Sequence, residues 1–212
     1  MTRPSDYTRQ QILKAAVALF AERGYDGTSV RSIVAKARVN QAAINYHFKG
    51  KDGLYAEVLK IAFDGYLRLD NFDLETLKEM PREEALRIFV HQQLQPLLAR
   101  EQMTRYIRIF AWENVRPSKV LDNFVTTGAM PFLASAIELV RRFLPPDSSD
   151  QDAMCAAISL MGQCSMFVRN REQFAKPPFN LQIDETFVAR LTDFISTLAL
   201  KGLAQEALTS TA

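Results

Sequence analysis

Apolar residues recur along most of this chain at intervals of three and four, the spacing that lines one face of a helix. Near the start, the pattern predicts a helix over about 7–23 that ends at Gly24. A second helix follows Thr28 and Ser29, which are favourable N-cap residues. Its inward positions keep the same spacing: Val30, Ile33, Val34 and Ala37.

A third, shorter helix is predicted after a tight turn. Asn40 is a capping residue that opens it, and Gly50 separates it from a fourth helix that begins at Lys51. The inward positions of the third helix are expected to be Val39, Ile44 and Phe48. Its outward positions are Gln41, Ala42, Ala43, Asn45, Tyr46 and His47.

The remainder of the chain keeps the helical spacing between proline-containing breaks. Helices are expected over about 51–69, 81–99, 104–115, 118–143, 150–174 and 184–203, with 71–80 as a connector. Pro81 suits a first helical position, Pro96 should kink or end its helix, and Pro131 should bend the long one. The predicted fold class is therefore all-α, with a three-helix helix-turn-helix domain over 1–52 and an α-helical bundle over 53–212.

The outward face of the third helix carries side chains that suit contact with DNA. The side chains that could contact base edges are Gln41, Asn45, Ala42 and Ala43. Those that suit phosphate contacts are Arg31, Tyr46, His47 and Lys51, and Arg31 could also reach a guanine. A DNA-binding helix-turn-helix places its second helix in the major groove. The same pattern also fits two packed helices with a solvated face, and periodicity alone leaves both interpretations open.

Composition adds an uneven distribution of charge to this picture. The 212 residues are 48% hydrophobic, which is enough for a sizeable core, and the net charge is only +2. Residues 1–60 hold ten Lys/Arg and five Asp/Glu, a net charge of +5, whereas the remainder has a net charge of −3. Such asymmetry is typical of a small DNA-facing domain attached to a neutral-to-acidic body.

Catalytic and metal sites find no support in the sequence, so neither a cofactor nor an enzyme activity is expected. The only histidines are His47 and His91, and no HExxH, GxSxG or Walker pattern is present. Cys155 and Cys164 point to nearly opposite faces of one predicted helix and are expected to be buried, unreactive thiols. No apolar run reaches about 18 residues and no secretory signal is evident, so we expect a cytoplasmic protein without a membrane partner.

A longer pattern of residue types at fixed positions extends over about residues 8–60. Its members are Ile12, Leu13, Ala15, Ala16, Leu19, Phe20, Gly24, Tyr25, Thr28, Ser29, Val30, Ile33, Val39, Ile44, His47, Phe48, Lys51 and Leu54. In these residues the chain resembles the TetR/AcrR family of bacterial transcriptional regulators. The run Ala-Ala-Ile-Asn-Tyr-His-Phe, with Lys-Asp-Gly-Leu-Tyr after it, looks most like the branch with a CerR-type C-terminal domain. The stretch 161–164 is consistent with that branch.

The resemblance implies a DNA-binding site at defined positions. They are Arg31, Gln41, Ala42, Ala43, Asn45, Tyr46, His47 and Lys51. Arg38 stands where the family usually has glycine, so a positive φ there would cost roughly 1 kcal/mol, which a phosphate contact by Arg38 could offset. Asn45 replaces the usual tyrosine, and the family's base preference therefore does not transfer to this chain.

The resemblance also implies a body that binds an effector and pairs through its last two helices. The candidate pocket residues are His91, Met103, Tyr106, Phe110, Trp112, Phe124, Met161 and Phe167. For any single one of them, an ordinary core position is the better-supported interpretation. The stripes that could form a four-helix dimer interface, or instead pack within one chain, are Ala153, Ala156, Ala157, Leu160, Cys164 and Phe167, then Phe187, Leu191, Phe194, Ile195 and Leu198.

The expected function is a repressor that responds to a small molecule. A dimer would place two recognition helices about 34–36 Å apart in successive major grooves of a near-palindromic operator. One alternative is a dimeric DNA-binding regulator without a ligand, whose body serves only to dimerise or to recruit a partner. The other is an all-α enzyme, for which the sequence shows no recognisable catalytic set.

Overall fold

Helices are the regular elements throughout residues 4–67, 74–98 and 101–203, which are the residues that this computed structural model describes, and no strand occurs among them. The all-α prediction is confirmed. In chain order these residues form α1 Pro4–Arg23, α2 Val30–Ala37, α3 Gln41–Phe48, α4 Lys51–Leu67, α5 Leu74–Glu79, α6 Arg82–Leu94, a 3₁₀ turn Gln95–Leu98, α7 Glu101–Val115, α8 Leu121–Phe124, a π turn Val125–Ala129, α9 Met130–Arg141, α10 Asp150–Arg169, α11 Arg171–Phe174 and α12 Glu185–Leu203.

The chain divides into two compact units that alternate along the sequence. The first unit comprises 1–66 and 100–129, and the second comprises 67–99 and 130–212. The first therefore contains α1–α4, α7, α8 and the π turn, and the second contains α5, α6 and α9–α12. The sequence predicted two continuous domains, 1–52 and 53–212, whereas the compact units each combine separate stretches of the chain. The predicted domain boundary after residue 52 therefore stays a prediction.

The first unit is built around α1, which packs against α2, α3 and α7. Phe20 on α1 is fully buried, and its ring centroid lies 4.5 Å from that of Tyr55 on α4. Ser29 caps α2 in a reciprocal capping box with Ser32, as its position before the helix predicted. Thr28 is not the cap, because its buried hydroxyl donates to the Gly24 carbonyl oxygen at 2.8 Å.

Gly24 is required both by its backbone and by its neighbour. Its φ is +69°, and an added Cβ would lie 3.1 Å from the Trp112 ring. We expect Gly24→Ala to lower the free energy of unfolding by about 2–4 kcal/mol, since it adds left-handed strain and overpacking. Gly50 also has a positive φ, +109°, but nothing within 4 Å of its Cβ position. In urea unfolding, Gly50→Ala is the control, and equal losses for both variants would contradict a role for the Trp112 contact.

The second unit is built around α6, which packs against α9, α10 and α12. Leu86 and Val90 are fully buried, and the Phe89 and Phe132 rings stack with centroids 5.9 Å apart. The Arg142 guanidinium donates to the carbonyl oxygens of Leu77 and Met80 at 2.8 and 2.6 Å. These carbonyls lie near the end of α5, so a residue distant in sequence stabilises a helix where only a connector was expected.

Three of the proline positions have different outcomes. Pro81 is the N-cap of α6 rather than its first helical residue. Pro96 does end a helix, because α6 stops at Leu94 and a 3₁₀ turn follows. The helix expected over 118–143 runs over Leu121–Arg141 with a π turn at Val125–Ala129, and Pro131 lies just after that turn, so the bend expected at Pro131 stays a prediction.

The helix expected over 150–174 is also interrupted. It ends at Arg169, and the Asn170 side chain donates to the Met166 carbonyl oxygen at 2.8 Å. Cys164 on this helix is buried, and burial raises its pKa to about 12. Cys155 is exposed, so the prediction of two buried thiols was wrong for that residue, whose position on the helix turns it outward.

One helical segment, Leu121–Arg141, is long and apolar enough by length and composition to cross a membrane. No segment of this kind was expected from the sequence, because no uninterrupted apolar run reaches about 18 residues. A core helix of a soluble protein passes the same test, and 28% of the apolar window of this segment is buried. Phe132, Ala136 and Val140 of this segment are buried inside the second unit.

Candidate DNA-binding surface

Two buried side chains hold helix α3 in the first unit. Ile44 is fully buried and Phe48 is 4% exposed, as predicted for inward positions, whereas Val39 is half-buried. Asn40 caps the helix, since its side-chain oxygen accepts from the Ala42 amide at 2.9 Å. The cap and the buried pair hold the opposite face of α3 in a defined orientation.

The opposite face of α3 is directed to solvent. Gln41, Ala42 and Asn45 are exposed, and the Tyr46 side chain is 80% exposed. Ala43 and His47 are half-buried, and the His47 ring lies edge-on to Tyr46 with centroids 4.9 Å apart. The predicted outward residues therefore share one accessible face, on which amide, hydroxyl and small apolar groups alternate.

Arginines flank this face on α2 and in the turn. Arg31 on α2 and Arg38 in the turn are both exposed. Arg38 adopts φ 55° and ψ 46°, the left-handed conformation that its position in the turn had suggested. A non-glycine residue in this conformation costs about 1–2 kcal/mol. Arg38 therefore brings a cation to the turn at a conformational cost that glycine would avoid.

The Lys51 side chain, a predicted phosphate contact, is held in place by a neighbouring aromatic ring. Its ammonium lies 4.0 Å from the centroid of the Tyr25 ring, in a cation–π contact, and the residue is half-buried. Burial lowers the pKa of Lys51, while nearby Asp26 and Asp52 act in the opposite direction. The Tyr25 hydroxyl donates to Asp52, and burial followed by that hydrogen bond raises the pKa of Tyr25.

Two kinds of residue near this surface were missed from the sequence. Lys49 is exposed beside α3 with φ 59°, a local feature that its position before Gly50 could have indicated. Lys119, after α7, lies 2.6 Å from an oxygen of Asp52, at the start of α4. No local pattern connects residues so far apart in the sequence, and only the packing of the first unit reveals the contact.

The candidate pocket residues do not fall in a single unit. The first unit contains Met103, Tyr106, Phe110, Trp112 and Phe124, and the second contains His91, Met161 and Phe167. In the first unit, Phe110 and Phe124 form an aromatic cluster with Phe63, with centroids 5.5–6.3 Å apart. The Trp112 indole instead donates to the Ala21 carbonyl oxygen at 3.3 Å.

The pocket candidates of the second unit have partners within that unit. Thr192 donates its hydroxyl proton to the Val188 carbonyl oxygen, so the His91 Nδ1 donates to Thr192 at 3.2 Å. The Gln95 amide then donates to His91 Nε2 at 2.7 Å. Phe167 packs against Phe174 with centroids 5.5 Å apart, and Met161 is half-buried. His91 is therefore fully hydrogen-bonded without a ligand.

The predicted dimer stripes are mostly turned into the second unit. The members that are buried there are Ala153, Ala157, Leu160, Cys164, Leu191 and Ile195. Of the named residues, Phe194 and Leu198 are 61% and 47% exposed. They belong with exposed residues that the prediction omitted, and together these form the apolar outer face: Met154, Ile158, Met166, Phe194 and Leu198. An open groove of about 1040 Å³ runs along α12 beside Phe194 and Leu198.

Two known protein families together match most of the described residues. Residues 12–58 match "Bacterial regulatory proteins, tetR family", and residues 82–203 match "HTH-type transcriptional dual regulator CecR, C-terminal domain". The second match is the branch that the sequence indicated, under its correct name CecR.

Relatives of known name are similar over shorter stretches. The chain is 34% identical over 100 residues to the probable HTH-type transcriptional regulator YttP of Bacillus subtilis, covering 47% of this chain and 48% of that protein. It is 36% identical over 56 residues to IcaR of Staphylococcus aureus, a negative transcriptional regulator of a biofilm operon, covering 26% and 30%. The chain thus spans about half or less of the length of these relatives.

A solved structure extends the likeness to the fold as a whole. AibR, in complex with isovaleryl coenzyme A and operator DNA, superposes with a TM-score of 0.63 at 19% identity, over 91% of this chain and 97% of that one. At this identity the likeness concerns the fold alone.

Proposed function

Because this chain belongs to the TetR family of bacterial transcriptional regulators and carries a CecR-type C-terminal domain, we propose that it represses transcription as a dimer on a near-palindromic operator. As a member of that family it is a DNA-binding regulator and not an enzyme. The observation that carries the proposal is the accessible polar face of α3 on a buried base of Ile44 and Phe48. A cytoplasmic location is part of this proposal, since a regulator must reach the DNA that it binds.

Within this proposal, the residues of the accessible face have different tasks. Gln41 and Asn45 present amides that can pair with an adenine edge, and Ala42 allows the helix to approach the groove floor. Tyr46 and His47, with Arg31, Arg38 and Lys51 around them, supply phosphate contacts that fix position rather than read sequence. Only the first group should determine which operator is chosen.

We expect Asn45→Ala to lower discrimination at one operator base pair by roughly 1–3 kcal/mol, because its amide is the group that reads that base. The measurement is the affinity for the operator, selected from random DNA, against single-base variants. Lys51→Ala is the contrasting variant, and it should weaken binding to all duplexes similarly and flatten the salt dependence. Equal loss on specific and random DNA for Asn45→Ala would refute the base-reading role.

An effector is the second part of the proposal. AibR is a regulator solved with an acyl-coenzyme A and operator DNA together. By analogy, we propose that a small molecule with an apolar portion binds the first unit at the phenylalanine cluster of Phe63, Phe110 and Phe124, whose packed rings would supply apolar contacts. Such a ligand shifts the protein away from its DNA-binding state only if it binds the two states with different affinity.

Release of the operator complex by acyl thioesters of graded chain length tests this part. The ligand-independent alternative predicts that none of them changes the affinity for DNA. A Phe110→Ala variant should lose the response and keep the operator affinity.

A further inference from the structure

Four side chains from three parts of the sequence, Tyr25, Lys51 with Asp52, and Lys119, meet at the start of α4. The Asp52 carboxylate accepts from the Tyr25 hydroxyl and lies 2.6 Å from the Lys119 ammonium. The Lys51 ammonium rests on the Tyr25 ring at 4.0 Å from its centroid. Two ammonium groups thus lie near one carboxylate, immediately after the helix proposed to read DNA.

The Lys119–Asp52 pair is too exposed to be retained for stability alone. The Lys119 side chain is 70% exposed and that of Asp52 is 51% exposed. Ion pairs of this kind contribute little to folding, because water screens them and two long side chains must be ordered. The Lys119 ammonium can therefore exchange one anionic partner for another at little cost.

Asp52 creates an electrostatic problem for DNA binding. A carboxylate in the first turn stabilises α4 through the helix dipole, yet it repels a phosphate that approaches the same helix end. The hydrogen bond from Lys119, followed by that from Tyr25, holds the pKa of Asp52 below its usual range, so the group is ionised at neutral pH. Without a neighbouring cation, Asp52 would oppose the phosphate contact assigned to Lys51.

The position of Lys119 is set by the end of α7. The buried Glu113 carboxylate on α7 accepts from the Ser118 backbone amide at 2.8 Å, one residue before Lys119. The same carboxylate accepts from the Tyr55 hydroxyl on α4 at 2.5 Å. The backbone that carries Lys119 is thereby tied to the helix whose first turn contains Asp52.

We propose that Lys119 is a DNA-phosphate contact, which neutralises Asp52 in the free protein and turns to a phosphodiester oxygen in the operator complex. This inference rests on the proposed placement of α3 in the major groove. It extends the DNA-binding surface beyond the three-helix segment to a residue that follows α7. The ligand is the phosphate backbone, so the contribution is independent of base sequence.

The test compares salt dependence of binding for matched charge-removing variants. Fluorescence anisotropy measures the affinity of the full-length protein for the selected operator and for a random duplex over a range of salt concentrations. We expect Lys119→Gln to weaken both duplexes similarly and to reduce the slope of log K against log salt by about 0.9 per chain. Lys119→Arg should restore the slope. Lys60→Gln, which removes an exposed lysine later on α4, should leave the slope unchanged.

Asp52→Asn separates a phosphate contact from a structural ion pair. The proposal predicts that Asp52→Asn tightens binding to both duplexes several-fold, because it removes the competing carboxylate. It is overturned if Lys119→Gln has the slope of Lys60→Gln, or if Asp52→Asn and Lys119→Gln weaken binding alike with a matching fall in Tm. If the wild type shows no preference for any duplex, the proposed function fails, and the slope on random DNA still decides the role of Lys119.

Discussion

Phe194→Glu is expected to make the protein monomeric at concentrations where the proposed dimer forms, and to abolish its discrete operator complex. Phe194 is 61% exposed and belongs to the apolar outer face, whose other members are Met154, Ile158, Met166 and Leu198. Exposed apolar residues gathered on one surface mark a protein interface. The outer face lies on α10 and α12, the helices through which we propose that two copies pair.

The size of the effect follows from symmetry. Burying a large apolar side chain contributes about 1.5–3 kcal/mol, and a twofold interface contains Phe194 twice. Because Phe194 is already partly covered in one chain, the loss is about 2–4 kcal/mol, which raises the dimer dissociation constant at least about tenfold. A buried, unpaired glutamate adds to this cost. Sedimentation equilibrium measures the dissociation constant, and gel retardation measures the operator complex.

Val115→Glu is the matched control for this substitution. Val115 is 75% exposed on α7 in the first unit, so the same glutamate is added without touching the outer face. We expect it to remain dimeric. A Phe194→Glu protein that sediments as a dimer and still retards the operator would place the interface elsewhere.

Glu113→Ala is expected to lower the free energy of unfolding by about 3–5 kcal/mol. The Glu113 side chain is 3% exposed, and its two oxygens accept from the Tyr55 hydroxyl and from the Ser118 amide. Removing it leaves two buried donors without an acceptor, at about 1–3 kcal/mol each, together with a cavity. Urea unfolding measures the loss.

Two further variants make this result interpretable. Glu22→Ala removes an exposed glutamate from α1 in the same unit and should change stability by less than about 0.5 kcal/mol. Tyr55→Phe removes one of the two donors and should lose about 1.5–3 kcal/mol, because the acceptor is a charged group. A loss below about 1 kcal/mol for Glu113→Ala would show that the carboxylate is not the organising group between α4 and α7.

The local features of the DNA-binding segment could be predicted because they depend on near neighbours. Ser29 and Asn40 act as caps, and Ile44 and Phe48 are buried, since capping and helical periodicity operate within a few residues. The positive φ at Arg38 could also be anticipated from the sequence, because the family usually has glycine at this position in the turn. The exposure of Asn45 follows from the same periodicity.

Features that depend on distant partners could not be predicted in this way. The stripe of small residues on α10 indicated close packing, but it could not show whether the partner was the same chain or another copy. Ala157 and Leu160 are buried within the second unit, and the exposed Ile158 lies on the other face of the helix. The division of the pocket candidates between two units and the pairing of Lys119 with Asp52 are likewise matters of tertiary packing.

The place of the single tryptophan has a practical consequence. The Trp112 indole donates to the Ala21 carbonyl oxygen and lies against Gly24, and all three residues belong to the first unit. Its intrinsic emission is thus a label-free reporter of the α1–α7 junction in that unit. Far-ultraviolet circular dichroism detects both units, so non-coincident melting traces from the two probes would reveal that the units unfold separately.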